Sequence, residues 1–303
     1  MKNIENQMLE KCNLCPRQCM VNRQENQIGY CGETKEVRVA RAALHFWEEP
    51  CISGKNGSGT VFFCGCNLRC IFCQNSVIAH GEVGKTITTK RLAQIFLELQ
   101  EKKAQNINLV TPTHEVLAIR EAVLLAREMG LQIPIVYNTS AYERVETLQM
   151  LEGIVDIYLP DFKYMDTKKA NDYSHAKDYP KVAKAAIAEM VRQTKTVTFN
   201  TEGMMISGVI VRHLVMPGGV HNARAVLTYL YETYKNDIYV SIMNQYTPLR
   251  KSEQFPELNR RVTKREYEKV LAHAMNLGII NAFIQEGATA KESFIPAFNN
   301  EGV

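Results

Sequence analysis

The sequence predicts an α/β chain: a partial, open parallel barrel of the (β/α)6 type that follows a small N-terminal cysteine-rich metal module. Three observations carry this expectation. From Thr60 onward, short apolar runs alternate with helical patterns. Those runs are apolar on both faces, as parallel strands covered by helices must be. All nine cysteines fall between Cys12 and Cys73, ahead of most of the alternating units.

The candidate strands are 60–66, 107–112, 133–139, 155–162, 209–217 and 237–245, with 281–285 as a last one. Between them, Leu92, Ile95, Phe96 and Leu99 repeat at the spacing of one helix face, which predicts a helix over 90–104. Segments 116–130, 181–193 and 222–234 also read as helices. A further helix over 264–277 opens with Thr263 and Glu266 as a capping box and closes at Gly278. Ser140 and Glu143 have the same spacing and predict a capped helix after the third strand. Six or seven such units imply right-handed crossovers. The count falls short of eight, so an open barrel is expected, with a doubly wound sheet as the alternative. In both, ligands bind at the C-terminal ends of the strands. The turn-rich stretch 52–59 divides the chain into 1–58, expected to be irregular, and 59–303, the barrel.

Over 303 residues, 46% are hydrophobic and 22% charged, a globular balance. The net charge of +4 arises from 36 basic and 32 acidic residues, too mixed for a nucleic-acid binder. The N-terminus has no apolar signal core, and no stretch reaches the roughly 18 apolar residues of a membrane span, so a cytoplasmic location away from membranes is expected. There, clustered cysteines point to metal rather than to disulfides.

Two cysteine groups are distinct. Cys66, Cys70 and Cys73 form a C-x3-C-x2-C array at the end of the first barrel strand. Soft thiolates suit iron–sulfur clusters, zinc or Cu(I), but structural zinc takes four protein ligands. Three leave one position open, as on a [4Fe–4S] cube whose fourth iron can bind a reactant. Phe72 would shield such a cluster from water. Cys12, Cys15, Cys19 and Cys31 form C-x2-C-x3-C-x11-C, a full set for a closed second site holding zinc or an Fe–S centre. Cys51 and Cys64 are read as buried thiols. Arg17 and Arg23 are expected on the surface and His213 in the core, while His45, Trp47, Glu48 and Glu49 are given a packing and surface role, with the substrate entrance as the alternative.

The array resembles the signature of the radical S-adenosylmethionine (SAM) superfamily. Residues 45–75, NLVTPTHEV, IVYNTSAYE, GIVDIYLPDFKYMD and VRHLVMPGG further resemble the PflX group, related to pyruvate formate-lyase activating enzymes. The resemblance implies that SAM binds the open iron of a [4Fe–4S] cluster. One electron from an external donor such as flavodoxin or ferredoxin then cleaves it to a 5′-deoxyadenosyl radical. That radical takes hydrogen from an unidentified protein or small-molecule substrate, a glycyl-radical enzyme if the chain is an activase. The resemblance places SAM contacts at strand ends: Thr111 and Thr113 where the family has a glycine-rich motif, then Asn138 and Thr139, Asp161 and Lys163, and Arg212. Residues 243–249 depart from the activases' pattern, with Gln245 and Tyr246 expected at the barrel mouth. The rival expectation is a non-enzymatic electron-transfer module.

Overall fold

The computed structural model describes residues 2–285 and 296–303. Its strands are β1 (Val37–His45), β2 (Ser58–Phe63), β3 (Lys85–Ile87), β4 (Ile107–Val110), β5 (Ile135–Thr139), β6 (Ile157–Pro160), β7 (Thr198–Phe199), β8 (Met205–Leu214), β9 (Tyr239–Met243) and β10 (Ala282–Ile284). They form one sheet in the order β10-β9-β8-β6-β5-β4-β2-β1-β3, with β7 paired to β8. From β2 to β10 along this path every pairing is parallel. No described pairing joins β10 to the opposite end, so the expected open barrel is what forms.

Alternation along the strands sorts the core. Ile135, Tyr137, Tyr158, Val209 and Val211 pack outward with the helix residues Leu92, Phe96, Ile119, Ile187 and Val226. Val136, Ile157, Leu159 and Ile210 pack inward with Ile52. Both faces are dry, which explains the near-continuous apolar runs. The predicted helices are present at Thr89–Glu101, Val116–Glu128, Tyr179–Thr194, Val220–Tyr234 and Lys264–Leu277. The last has both halves of the Thr263–Glu266 capping box and ends at Gly278 in the left-handed conformation (φ 86°).

Three expectations change. Residues 1–58 are not all irregular: β1 pairs antiparallel with β2 and, through Val37–Val39, with β3. The cysteine-bearing segment therefore ends before Val37, and β1 belongs to the sheet. Its unpaired stretch is covered by the chain terminus, where Asn300 N donates to Ala40 O (3.0 Å) and Ala42 N to Glu301 O (2.8 Å). The Ser140–Glu143 capping box does not form. The helix there is only Val145–Gln149, with Arg144 at its N-cap and no side-chain cap.

Arg17 and Arg23 are not solvated either; both hold the N-terminal segment to the barrel. Arg17 donates to Asn67 O (2.9 Å) and Ser174 O (2.9 Å), and its guanidinium lies 3.9 Å from the Tyr30 ring centre. Arg23 is 1% exposed. It donates to Thr34 O (2.8 Å) and His114 O (2.7 Å) and pairs with the buried Glu115 at 3.6 Å. A buried charge stripped of its partner is among the costlier single changes. Arg23→Ala is therefore expected to cost about 3 kcal/mol, read as a lowered urea midpoint at unchanged slope.

Candidate functional site

The C-terminal ends of β2, β4, β5, β6, β8 and β9 open into one cavity. Its lining includes Cys66, Cys70, Cys73, Thr111, Asn138, Thr139, Asp161, Lys163 and Arg212. Of the residues expected at the site, the structure thus brings together all three array cysteines and six of the seven strand-end residues. Gln245 and Tyr246 also line it, as does Phe72, which sits edge-on to Tyr246 and Tyr173.

The cysteine loop leaves β2 through Gly65, whose φ of 77° suits glycine. A Cβ there would lie 2.5 Å from Glu33 Cγ and 2.8 Å from Cys31 O. This close approach lets Cys66 N donate to Cys31 O (3.2 Å). β2 ends at Phe63, so Cys64 and Cys66 both lie beyond the strand. Cys64 turns away, its thiol donating to Val83 O (3.1 Å). Burial pushes Cys51 and Cys64 each up to about 12, keeping them as thiols.

The array is built to carry sulfur charge. Leu68 N (3.3 Å) and Arg69 N (3.5 Å) approach Cys66 Sγ, and Ser174 Oγ donates to Cys70 Sγ (3.0 Å). Burial pushes the Cys70 thiol up and Cys73 up to about 12, while the Lys163 ammonium nearby opposes both. Burial would push Lys163 down, but Asp161, with Oδ2 2.5 Å from Nζ, and the Cys70 and Cys73 charges hold it up. Cys66, Cys70 and Cys73 share one cavity wall, a set of thiol donors of the kind that would hold an iron–sulfur cluster.

Thr111 adopts φ 59°, unusual for a β-branched residue. It takes, at a strain cost, the left-handed turn for which glycine is suited at this strand end. Asn138 and Thr139 follow from β5. Tyr179 OH, not singled out from sequence, donates toward Ser140 O (2.8 Å) and Asp161 O (2.6 Å) and accepts from Lys163 N (2.9 Å), tying the β5 and β6 loops together.

Thr113 falls outside the cavity lining. Its hydroxyl donates to Glu143 Oε1 (2.5 Å), as does that of Thr139. Burial pushes Glu143 up to about 7 against these hydrogen bonds. Arg212 does reach the cavity, but its fork is already filled. It is bidentate to Glu49 (2.9 and 3.0 Å) and also bonds Glu48, which accepts from Asn108 Nδ2 (3.0 Å). Glu48 and Glu49 are therefore buried partners rather than surface residues, and His45, Trp47 and Glu48 line the cavity, the alternative raised for this stretch. Their spacing from Arg212, 163 and 164 positions along the chain, hid them from sequence reading. His213, one residue on, faces the core as expected, with Nδ1 2.7 Å from Phe162 O.

A family model described as the radical SAM superfamily matches residues 60–218. An uncharacterized protein of Methanocaldococcus jannaschii is 32% identical over 289 residues, covering 91% of this chain and 78% of that protein. Among solved structures, a radical SAM methyltransferase from Sphaerobacter thermophilus superposes with a TM-score of 0.53 at 15% identity. That alignment covers 75% of this chain and 66% of the methyltransferase, just under two thirds of its length, and shows the same kind of fold. Streptococcus suis SuiB bound to S-adenosylmethionine superposes at 0.49 with 10% identity, over 74% of this chain and 49% of that one.

Glu143 gives the site's neighbourhood a pH dependence. Its folded value of about 7 lies above the ordinary 4.5, so ionisation opposes folding. Its contribution to stability is complete below the ordinary carboxyl range, is lost as pH rises toward 7, and is constant beyond. Glu143→Gln mimics the neutral acid. It is expected to leave stability unchanged near pH 4 and to raise it near pH 8 by at most about 3 kcal/mol, read as a Tm difference between the two pH values.

Proposed function

The chain belongs to the radical SAM superfamily, and from that premise we propose that it is an activase-like enzyme that takes hydrogen from a segment of a protein substrate. At the level of the superfamily it is a radical SAM enzyme, using a [4Fe–4S] cluster and SAM. When bound, these supply reductive cleavage of the sulfonium and the 5′-deoxyadenosyl radical.

The residues divide this work. Cys66, Cys70 and Cys73 hold the cluster. Thr111, Asn138, Thr139 and Asp161 offer the strand-end polar groups that would seat SAM. Lys163 places a positive charge beside the cluster thiolates. Glu48, held by Arg212, presents a carboxylate to the cavity for hydroxyl donors. Phe72, Tyr246 and Leu214 keep water from the reacting carbon, which a primary radical requires.

The observation that favours a chain-like substrate is the continuity of the cavity with an outer groove. Phe72, Cys73 and Tyr246 line both. The groove, about 430 Å³, runs between Asn171–His175 and the loop 246–255 toward solvent. That loop is latched over the array where Arg250 donates to Ser76 Oγ (3.1 Å) and Gln74 Nε2 to Gln245 O (3.1 Å). An extended segment in the groove would meet the cavity at its cluster end.

Anaerobically reconstituted protein with dithionite and SAM is expected to form 5′-deoxyadenosine, and Cys70→Ala to form none. With extracts of cells grown on Cα-deuterated glycine, the protein fraction is expected to pass deuterium into 5′-deoxyadenosine. Transfer only from the low-mass filtrate would overturn the protein-substrate reading in favour of a small molecule.

A further inference from the structure

The first four cysteines lie outside the cavity just described, yet their segment is bonded to the loop that carries the array. Cys12, Cys15 and Cys31 are buried. Cys12 N donates to Val21 O (2.9 Å) and Met20 N to Cys12 O (3.0 Å), so the chain after Cys19 folds back beside Cys12. Cys19 sits against the approach to Cys31: Tyr30 N donates to its Sγ (3.2 Å), and a Cβ on Gly29 would lie 3.2 Å from that sulfur. The Arg23 guanidinium lies beside Cys12 and near Cys31, a buried cation facing the thiols. Apart from Leu14, the segment contributes little apolar core of its own.

We infer that Cys12, Cys15, Cys19 and Cys31 hold a second iron–sulfur cluster that relays electrons to the cluster held by Cys66, Cys70 and Cys73. Two observations support this. The N-terminal group shares a backbone N–H···S approach, at Cys19, with the array that family membership assigns to a cluster. The second observation is the path. The Cys66 N to Cys31 O hydrogen bond (3.2 Å) joins a ligand of one group directly to a ligand of the other. Each Sγ is then only its own Cβ, Cα and backbone away from that bond. Gly32 and Gly65 let the two loops interlock, with Arg69 against Gly32 and Cys31 O against Gly65.

The electron count is simple. A one-electron donor of the flavodoxin or ferredoxin class is oxidised as the N-terminal cluster is reduced. That cluster is reoxidised as the second accepts the electron, with no bond made or broken. The role as relay rests on the radical SAM reading of the Cys66 site; the presence of a metal cluster does not.

The test uses full-length protein reconstituted anaerobically with iron and sulfide. The triple variant Cys66→Ala, Cys70→Ala, Cys73→Ala is expected to keep iron and sulfide and, after dithionite, an electron paramagnetic resonance signal indifferent to SAM. Zinc in place of iron there, or no metal, would overturn the proposal. The variant Cys12→Ser, Cys15→Ser is expected to lose iron yet keep a signal that SAM perturbs. Reduction of that remaining cluster by flavodoxin should be lost while reduction by dithionite persists. Undiminished reduction by flavodoxin would overturn the relay. Wild type showing no SAM-perturbed signal at all would instead count against the reading of the Cys66 site, which keeps the two failures apart.

Discussion

A cluster at the array would need sulfur to carry charge where burial opposes charge, at Cys70 and Cys73, and most of the mouth's architecture follows from that. Cys70 and Cys73 would remain thiols on burial alone. A thiolate, not a thiol, binds metal. The protein offsets part of the cost with Lys163, Ser174 Oγ and the backbone N–H groups of Leu68 and Arg69; bound iron would supply the rest. Lys163 is itself buried and needs Asp161. Both lie on the loop after β6 that Tyr179 ties to the β5 loop. Each polar group inside the mouth thus requires a partner, and the chain of partners ends at backbone carbonyls, which are fixed by the sheet.

The same logic appears twice more, with arginine as the buried cation. Arg212 binds Glu48 and Glu49 and so pins residues before β2 to β8. Arg23 pairs with Glu115 while donating to two carbonyls from distant parts of the chain. Guanidinium suits these roles because its planar fork holds five N–H donors in fixed directions, where an ammonium offers three on a flexible stem. Such clusters are poor sources of net stability but costly to break. Their effect is to fix how the N-terminal third sits against the barrel rather than to make the barrel stable.

What was legible in the sequence is what local pattern encodes. Seven parallel strands announced themselves because both faces are apolar, and the last long helix because its caps are chemical signatures. β1 stayed hidden because a register shift between Val39 and Arg41 breaks its alternation and alanines dilute its strand character. The Ser140–Glu143 spacing mimicked a capping box, but hydroxyls of Thr113 and Thr139, from two different strand ends, claimed the carboxylate. The array cysteines and most strand-end residues were visible as motif and position. The partners of Arg17, Arg23 and Arg212 were not, because their acceptors lie up to 164 positions away and many are carbonyls, which every residue has.

The carbonyls also bear on what the first thirty-odd residues are for. A module that merely needed a metal in order to fold would close its contacts on itself. Here Asn13 O accepts from Arg144 Nη1 (2.6 Å), Leu14 O from Thr147 Oγ1 (2.8 Å) and Cys31 O from Cys66 N (3.2 Å). These three acceptors face the barrel, while Cys12 O, Cys15 O and Val21 O are bonded within the segment. Two of the donors belong to the start of the helix after β5, and the third is a cysteine of the array. The segment that carries Cys12, Cys15 and Cys31 is thereby bonded to the β5 end and to the array loop together. The N-terminal segment is thus docked on the barrel through the loop that carries Cys66 and the start of the helix after β5, rather than folded apart from it.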